Sequence, residues 1–225
     1  MGQSKLTILR YLLGFATISA CGLAGFVIGS HEPVRVKVAG IVDDVVTGFW
    51  ASEKSALYSS YTDAVDHSSL EVRAAAIEFS RGCGLDDQCR LEHMLEYVSN
   101  NIEYVRDPSD VELIQDPIWT LTNRAGDCED QSILLVSLLE SVDIETLLAF
   151  ADNHVMPVVC LSEPVSNESL PQSAVVLLRG DRFCYPLEPT AQNASIGYSQ
   201  GWSEVHTLVE SVGGFFSPLA LSTAL

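Results

Sequence analysis

The order of patterns along the chain predicts an α+β domain. Two amphipathic helical stretches come first, then one helix apolar over nearly its whole circumference, then four short runs rich in Val, Leu and Phe. Helices segregated before strands put a sheet against the central helix. Composition agrees that the chain folds: of 225 residues 47% are hydrophobic and 19% charged, the reverse of a disordered chain. The length suits one domain, or one domain with attachments. The charge is lopsided, with 12 Lys+Arg against 30 Asp+Glu and a net charge of −18. That disfavours nucleic acid as a partner, because phosphate contacts need a basic face. An acidic surface with only three lysines fits a protein built for concentrated salt, haloarchaeal in the extreme, where carboxylates keep the chain hydrated and self-repulsion is screened. An acidic mesophilic protein carries the same imbalance.

From Tyr11 to Ser30 the sequence has twenty uncharged, mostly apolar residues preceded by Lys5 and Arg10. Twenty such residues match a bilayer-spanning helix, and the preceding cations favour an inside amino terminus and an outside body. Residues 1–33 are therefore read as a single-pass cell-membrane anchor with the domain extracytoplasmic. Arg35 and Lys37 follow on the far side, so the charge bias is slight. A lipobox at Ile18-Ser19-Ala20-Cys21 and a cleaved signal peptide are the alternatives. Over residues 34–68, Val38, Ile41, Val45, Phe49, Ala56, Tyr58 and Ala64 fall at helical spacing and predict a helical stalk.

Ser69 reads as an N-cap before a helix over 70–81 that stops at Gly82 and Gly84. A second helix over 86–99 carries the stripe Leu91, Met94, Leu95 and Val98. Ile102, Tyr104 and Val105 form a short extended element ending at Asp107-Pro108. After a turn at Asn123-Arg124-Ala125-Gly126-Asp127, the helix that begins at Cys128 is apolar nearly all round, which marks it as buried. Strands are expected at 146–150, 155–161, 175–178 and 183–187, with Gly180-Asp181 as the turn between the last two. The tail, 198–225, carries Trp202, Val205, Leu208 and Val209 in a helical pattern and ends in an apolar stretch too short to span a bilayer.

Cys128 lies where a glycine-bearing turn enters the buried helix. The unpaired N–H groups and positive dipole end there should lower a thiol pKa and favour the thiolate. His154 opens a predicted strand and supplies a base. Glu188, in Pro186-Leu187-Glu188-Pro189-Thr190, supplies an acid to orient the imidazole. Together they make the nucleophile, base and orienter of acyl transfer. Taken alone, such a trio is weak evidence, since free cysteines are commonly inert core residues.

The local sequence adds weight. Pro117-Ile118-Trp119-Thr120-Leu121, then Gly126-Asp127-Cys128-Glu129-Asp130, Asn153-His154-Val155 and Tyr185-Pro186-Leu187-Glu188-Pro189-Thr190 resemble the transglutaminase-like superfamily, in this order. The resemblance runs over residues 69–197. It implies a papain-like core with the nucleophile helix packed on an antiparallel sheet, with Cys128 as nucleophile, His154 as base and acid, and Glu188 as orienter where many relatives have Asp. It implies cysteine peptidase, amidase or transglutaminase chemistry through a thioester, on a protein or peptide substrate, with no metal or other cofactor. The Cys128 N–H would stabilise the oxyanion, with Tyr104 as candidate second donor. A non-catalytic surface module retaining the fold is the rival reading. For Asp127, Glu129 and Asp130 the simpler reading is that acids in a first helical turn complement its dipole.

Cys83 and Cys89 flank a turn and are close enough to bridge; with His93 they also form an incomplete zinc set. Cys160 and Cys184 lie on predicted strands and either meet or remain two buried thiols. Asn167-Glu168-Ser169 and Asn193-Ala194-Ser195 are sequons in predicted loops, permitting glycosylation at Asn167 and Asn193 in an exported protein. His31, His67, His93 and His206 show no partner pattern and read as surface or packing residues.

Overall fold

The computed structural model describes residues 37–40, 58–108, 111–212 and 216–217. The expected span at 11–30, Cys21 and most of the expected stalk lie outside these residues. Among the described residues no helix is long and apolar enough to cross a membrane.

After a helical stretch at 58–63, α1 (Leu70–Phe79) starts where Ser69 Oγ accepts the Val72 N–H and buries Val72 and Ala76. In α2 (Asp87–Asn101) the N-cap Asp86 accepts the Cys89 N–H at 3.1 Å, and the Leu91, Met94, Leu95 and Val98 stripe is buried. A disulfide between Cys83 and Cys89 closes the loop joining these helices. Phe79 stacks on Tyr97 with ring centroids 3.8 Å apart, holding the C-terminal halves together. Next come the short strand β2 (Glu103–Tyr104), α3 (Pro117–Asn123) and β3 (Ala125–Gly126), with β2 and β3 forming a separate parallel pair. Proline in the first turn of α3 and the left-handed Arg124 after it (φ 55°) delimit that helix.

The central helix α4 (Cys128–Glu140) is buried from Glu129 to Leu139. It packs on α1, α2 and α3 on one side and on the sheet on the other. The sheet contains β1 (Lys37–Gly40), β4 (Thr146–Ala151), β5 (His154–Leu161), β6 (Val175–Arg179), β7 (Arg182–Pro186), β8 (Thr207–Glu210) and β9 (Phe216–Ser217). Its order is β1-β6-β7-β5-β4-β8-β9, antiparallel throughout except for the β1–β6 pair. Val159, Leu161, Tyr185 and Leu187 join the core beneath α1, α2 and α4. Met156, Val158, Cys160 and Cys184 belong to a second buried cluster that includes Val205 and packs against Trp202. Cys160 and Cys184 face each other in the β5–β7 register and are disulfide-bonded.

Two expectations differ from the structure. Lys37–Gly40, placed by its spacing in a helical stalk, is a strand parallel to β6. Four residues satisfy either periodicity, and the β6 edge offers unpaired backbone groups that a strand satisfies and a helix does not. Residues 202–210, expected as a packing helix, form a single 3-10 turn (Trp202–Glu204) and then β8 along the open side of β4. Leu208 and Val209 are both buried because apolar clusters cover both faces of that strand, so the sequence lacks the strict alternation of a half-exposed strand. The sheet thus draws strands from both sides of residues 69–197.

Candidate active site

One wall of the site is the start of α4. Gly126 is required by space: a Cβ there would lie 2.6 Å from Asp130 Cβ. Asp130, fully buried, accepts the Gln115 N–H at 2.8 Å and the Asp127 N–H at 3.2 Å, tying the loop before α3 to the helix start. Burial pushes its carboxyl up to about 6. The Cys128 thiol donates to Glu129 Oε2 at 3.2 Å and accepts a hydrogen bond from the Val155 N–H at the head of β5. Ser132 Oγ donates to the Val155 carbonyl, so the helix and the strand are clamped together at this point. Glu129 is buried beside Asp127, and desolvation followed by that neighbour pushes it up to about 9. Asp127 Oδ1 is buried without a hydrogen-bond partner among the described residues.

The thiol environment reverses the expectation from helix position. Burial, then the nearby Glu129 and Asp127 carboxyls, push Cys128 up to about 12 against the pull of the Val155 amide. A helix terminus carries only about half an elementary charge. Desolvation of a thiolate and adjacent acids in a low-dielectric site outweigh it.

The other wall is the sheet. His154, first residue of β5, places Nε2 2.8 Å from Glu188 Oε2. Glu188 is buried, and its Oε1 accepts the Thr190 hydroxyl at 2.5 Å. Donation from Nε2–H to the carboxylate leaves the Nδ1 lone pair available, and Nδ1 has no hydrogen-bond partner among the described residues. A cleft of about 730 Å³ contains Cys128 and His154 together, walled by Tyr58, Tyr61, Tyr104 and Phe150. Tyr61 OH donates to Glu112 at 2.5 Å, joining two sides of the cleft. Tyr104 is half-exposed, and burial followed by the nearby Cys128 raises its phenol.

Cys128, His154 and Tyr104 therefore line one cavity, and Glu188 stands buried behind His154, reaching the site only through its bond to Nε2. Cys83, Cys89, Cys160 and Cys184 stand apart from it in disulfides, so two donors of the three-residue zinc set are bonded to each other. Asn167 and Asn193 are exposed loop residues. Asp107, Glu112 and Glu129 offer oxygens within 4.8 Å of one another, a donor set of the type hard cations use. Sequence reasoning missed His206, which lines the cleft, anchored by its N–H on the Phe150 carbonyl at 3.0 Å and with Nε2 3.7 Å from Asp152 Oδ1. Recognising 207–210 as a neighbour of β4 was the one signal that would have found it.

Residues 73–155 match the family profile of the transglutaminase-like superfamily core. The matched segment contains Cys128 and His154 and ends before Glu188. Comparison with curated protein sequences gives no match. Among solved structures the chain is similar to a protease candidate from Parabacteroides distasonis, at 16% identity and TM-score 0.40, over 65% of this chain and 31% of that one. A cysteine protease candidate from Cytophaga hutchinsonii is 13% identical with TM-score 0.34, over 56% of this chain and 40% of that one. Calcium-bound LapG from Legionella pneumophila is 14% identical with TM-score 0.35, over 77% and 84% of the two chains. The chain spans less than half the length of the first two.

Proposed function

We propose, from the match of residues 73–155 to the transglutaminase-like superfamily core, that the chain is a thiol enzyme that cleaves or transfers amide-linked acyl groups of proteins or peptides. The observation that carries this reading is the His154–Glu188 hydrogen bond at 2.8 Å, made through Nε2 by a residue that lines the same cleft as Cys128. In the reaction the thiol swings from Glu129 to His154 and gives its proton to Nδ1. The sulfur attacks the acyl carbon, and the Cys128 N–H with the Tyr104 hydroxyl meets the oxyanion. His154 returns the proton to the departing amine, leaving a thioester. Water, or a second amine, then attacks with His154 again as base and releases Cys128. Glu188, buried and fixed by Thr190, holds the imidazole in the useful tautomer and stabilises its cation.

Membrane anchoring and an extracytoplasmic body belong to the same proposal. The uncharged stretch from Tyr11 to Ser30 supports the first. The two disulfides support the second, since they persist in oxidising compartments. One observation favours the second reading, a non-catalytic module: the resting thiol is neutral and turned to Glu129.

Acylation with p-nitrophenyl acetate separates the two. An enzyme releases a burst of nitrophenol, carries an acetyl thioester on Cys128 by mass mapping, and loses both in His154→Ala. Faster deacylation with added glycine ethyl ester marks amine transfer, whereas an unchanged rate marks hydrolysis. Absence of acetyl-Cys128 in the folded protein overturns the enzyme reading.

A further inference from the structure

We infer that the open edge of β2 is a docking strand: an extended peptide segment of the acyl donor pairs with it as a third strand and so carries its scissile carbonyl to Cys128. This rests on the acyl-transfer reading above.

The β2–β3 ladder uses only one edge of β2. The Glu103 N–H donates to the Arg124 carbonyl at 2.8 Å and the Val105 N–H to the Gly126 carbonyl at 3.1 Å, with Tyr104 opposite Gly126 in a parallel register. In such a ladder alternate residues pair, so the N–H and C=O of Tyr104 point away from β3. Neither has a hydrogen-bond partner among the described residues, and both residues of β2 are exposed. Residues 103–105, Glu-Tyr-Val, contain no lysine or proline, the usual protections of a free edge.

The position of this edge names its occupant. β3 leads through Asp127 directly into Cys128, so β2 lies one strand away from the nucleophile. Tyr104 and Arg106, two residues apart and hence on one face of the strand, both line the cleft with Cys128. Val105 alternates to the other face and, with Val111 and Leu113, is about half exposed. An extended chain laid along Tyr104 exchanges main-chain hydrogen bonds with it while alternate side chains meet the aromatic cleft wall and the exposed Val105. The substrate class is thus an extended peptide with at least two residues beside the acyl group. A small free amide cannot reach both the edge and the thiol.

Two thiol probes test this on the full chain, acetyl-Val-Thr-Gly vinyl sulfone and methyl vinyl sulfone. Each forms the same kind of bond, Cys128 sulfur to the vinyl carbon β to the sulfone with a proton added to the α carbon, and only the first carries a peptide. Hydrogen exchange at the Tyr104 amide is expected to slow at least tenfold in the peptide adduct and to stay fast in the methyl adduct. N-methylation of the probe nitrogen that faces Tyr104 is expected to slow labelling by about tenfold, while the methyl vinyl sulfone rate, which needs no edge, stays constant. Unchanged Tyr104 exchange together with indifference of labelling to N-methylation at every probe nitrogen overturns the docking strand and leaves the enzyme reading intact. Tyr104 protection already present in the unlabelled protein, rising with protein concentration, overturns it in favour of pairing between copies. Failure of both probes and of p-nitrophenyl acetate at Cys128 brings down the acyl-transfer reading and this inference with it.

Discussion

The helix wall and the sheet wall of the cleft are prepared in opposite ways. On the sheet wall His154, Glu188 and Thr190 form a continuous chain of hydrogen bonds that fixes the imidazole in place. On the helix wall the thiol rests against a carboxyl that is itself raised to about 9, and the thiol stands near 12. One wall is fixed by hydrogen bonds, and the other holds its thiol neutral. The difference teaches that a helix N-terminus does not activate a cysteine by position alone. In the proposed reaction, activation comes across the cleft, when the sulfur leaves Glu129 for His154.

If the two walls divide the work this way, the substitutions rank accordingly. Cys128→Ala and His154→Ala should each lower acyl transfer by at least about 10⁴-fold, measured as nitrophenol release. Equal residual rates in the two variants would confirm that thiol and base act as one unit, whereas a mild His154→Ala defect would break the comparison. Glu188→Gln keeps the shape but removes the charge that selects the tautomer. A loss of about 10²–10⁴-fold in kcat with little change in KM is expected. Tyr104→Phe removes one oxyanion donor from a half-exposed position and should cost about tenfold in kcat, less than a fully enclosed donor.

Glu129→Gln sharpens the helix side of the comparison. Its carboxyl moves from an ordinary 4.5 to about 9 because burial favours the protonated form. Its contribution to stability is therefore complete below about 4.5 and is lost as pH rises toward 9. Glutamine cannot ionise, so the variant should melt higher than the parent at pH 9 and show no such advantage at pH 5. Each kcal/mol is worth about 2–4 °C in a chain of this size. The same change removes a carboxylate beside the thiol, and the pH profile of Cys128 alkylation by iodoacetamide should shift to lower pH.

Much of this arrangement was legible in the residues. The apolar circumference of α4, the β-rich runs that become β4 to β7 and the glycine before Cys128 each have a local cause that survives folding. The Cys128, His154 and Glu188 set was legible because each residue sits at the start or just past the end of an element, where the chain pattern changes. The acidity of the thiol was not, because it depends on how deeply Glu129 and Asp127 are buried beside it, a property of packing. His206 and β8 escaped for a related reason. Trp202, Val205, Leu208 and Val209 satisfy a helical period, and only the free side of β4, more than fifty residues earlier in the chain, decides that Thr207–Glu210 extends instead.

The Cys160–Cys184 bond spans β5 and β7, the strands that begin with His154 and lead to Glu188. A two-residue slip between neighbouring strands keeps every side chain on its proper face, so hydrophobic patterning alone does not forbid it. Such a slip would shift Glu188 along β5 by about 6–7 Å, far beyond reach of His154. The sulfur bridge makes that error covalently impossible once the correct pairing is sealed. The choice of production host therefore matters to the chemistry as well as to yield. Chains made in a reducing cytoplasm must find the His154–Glu188 alignment without this ratchet, and preparations of equal helix content would differ in the fraction of molecules in which His154 meets Glu188.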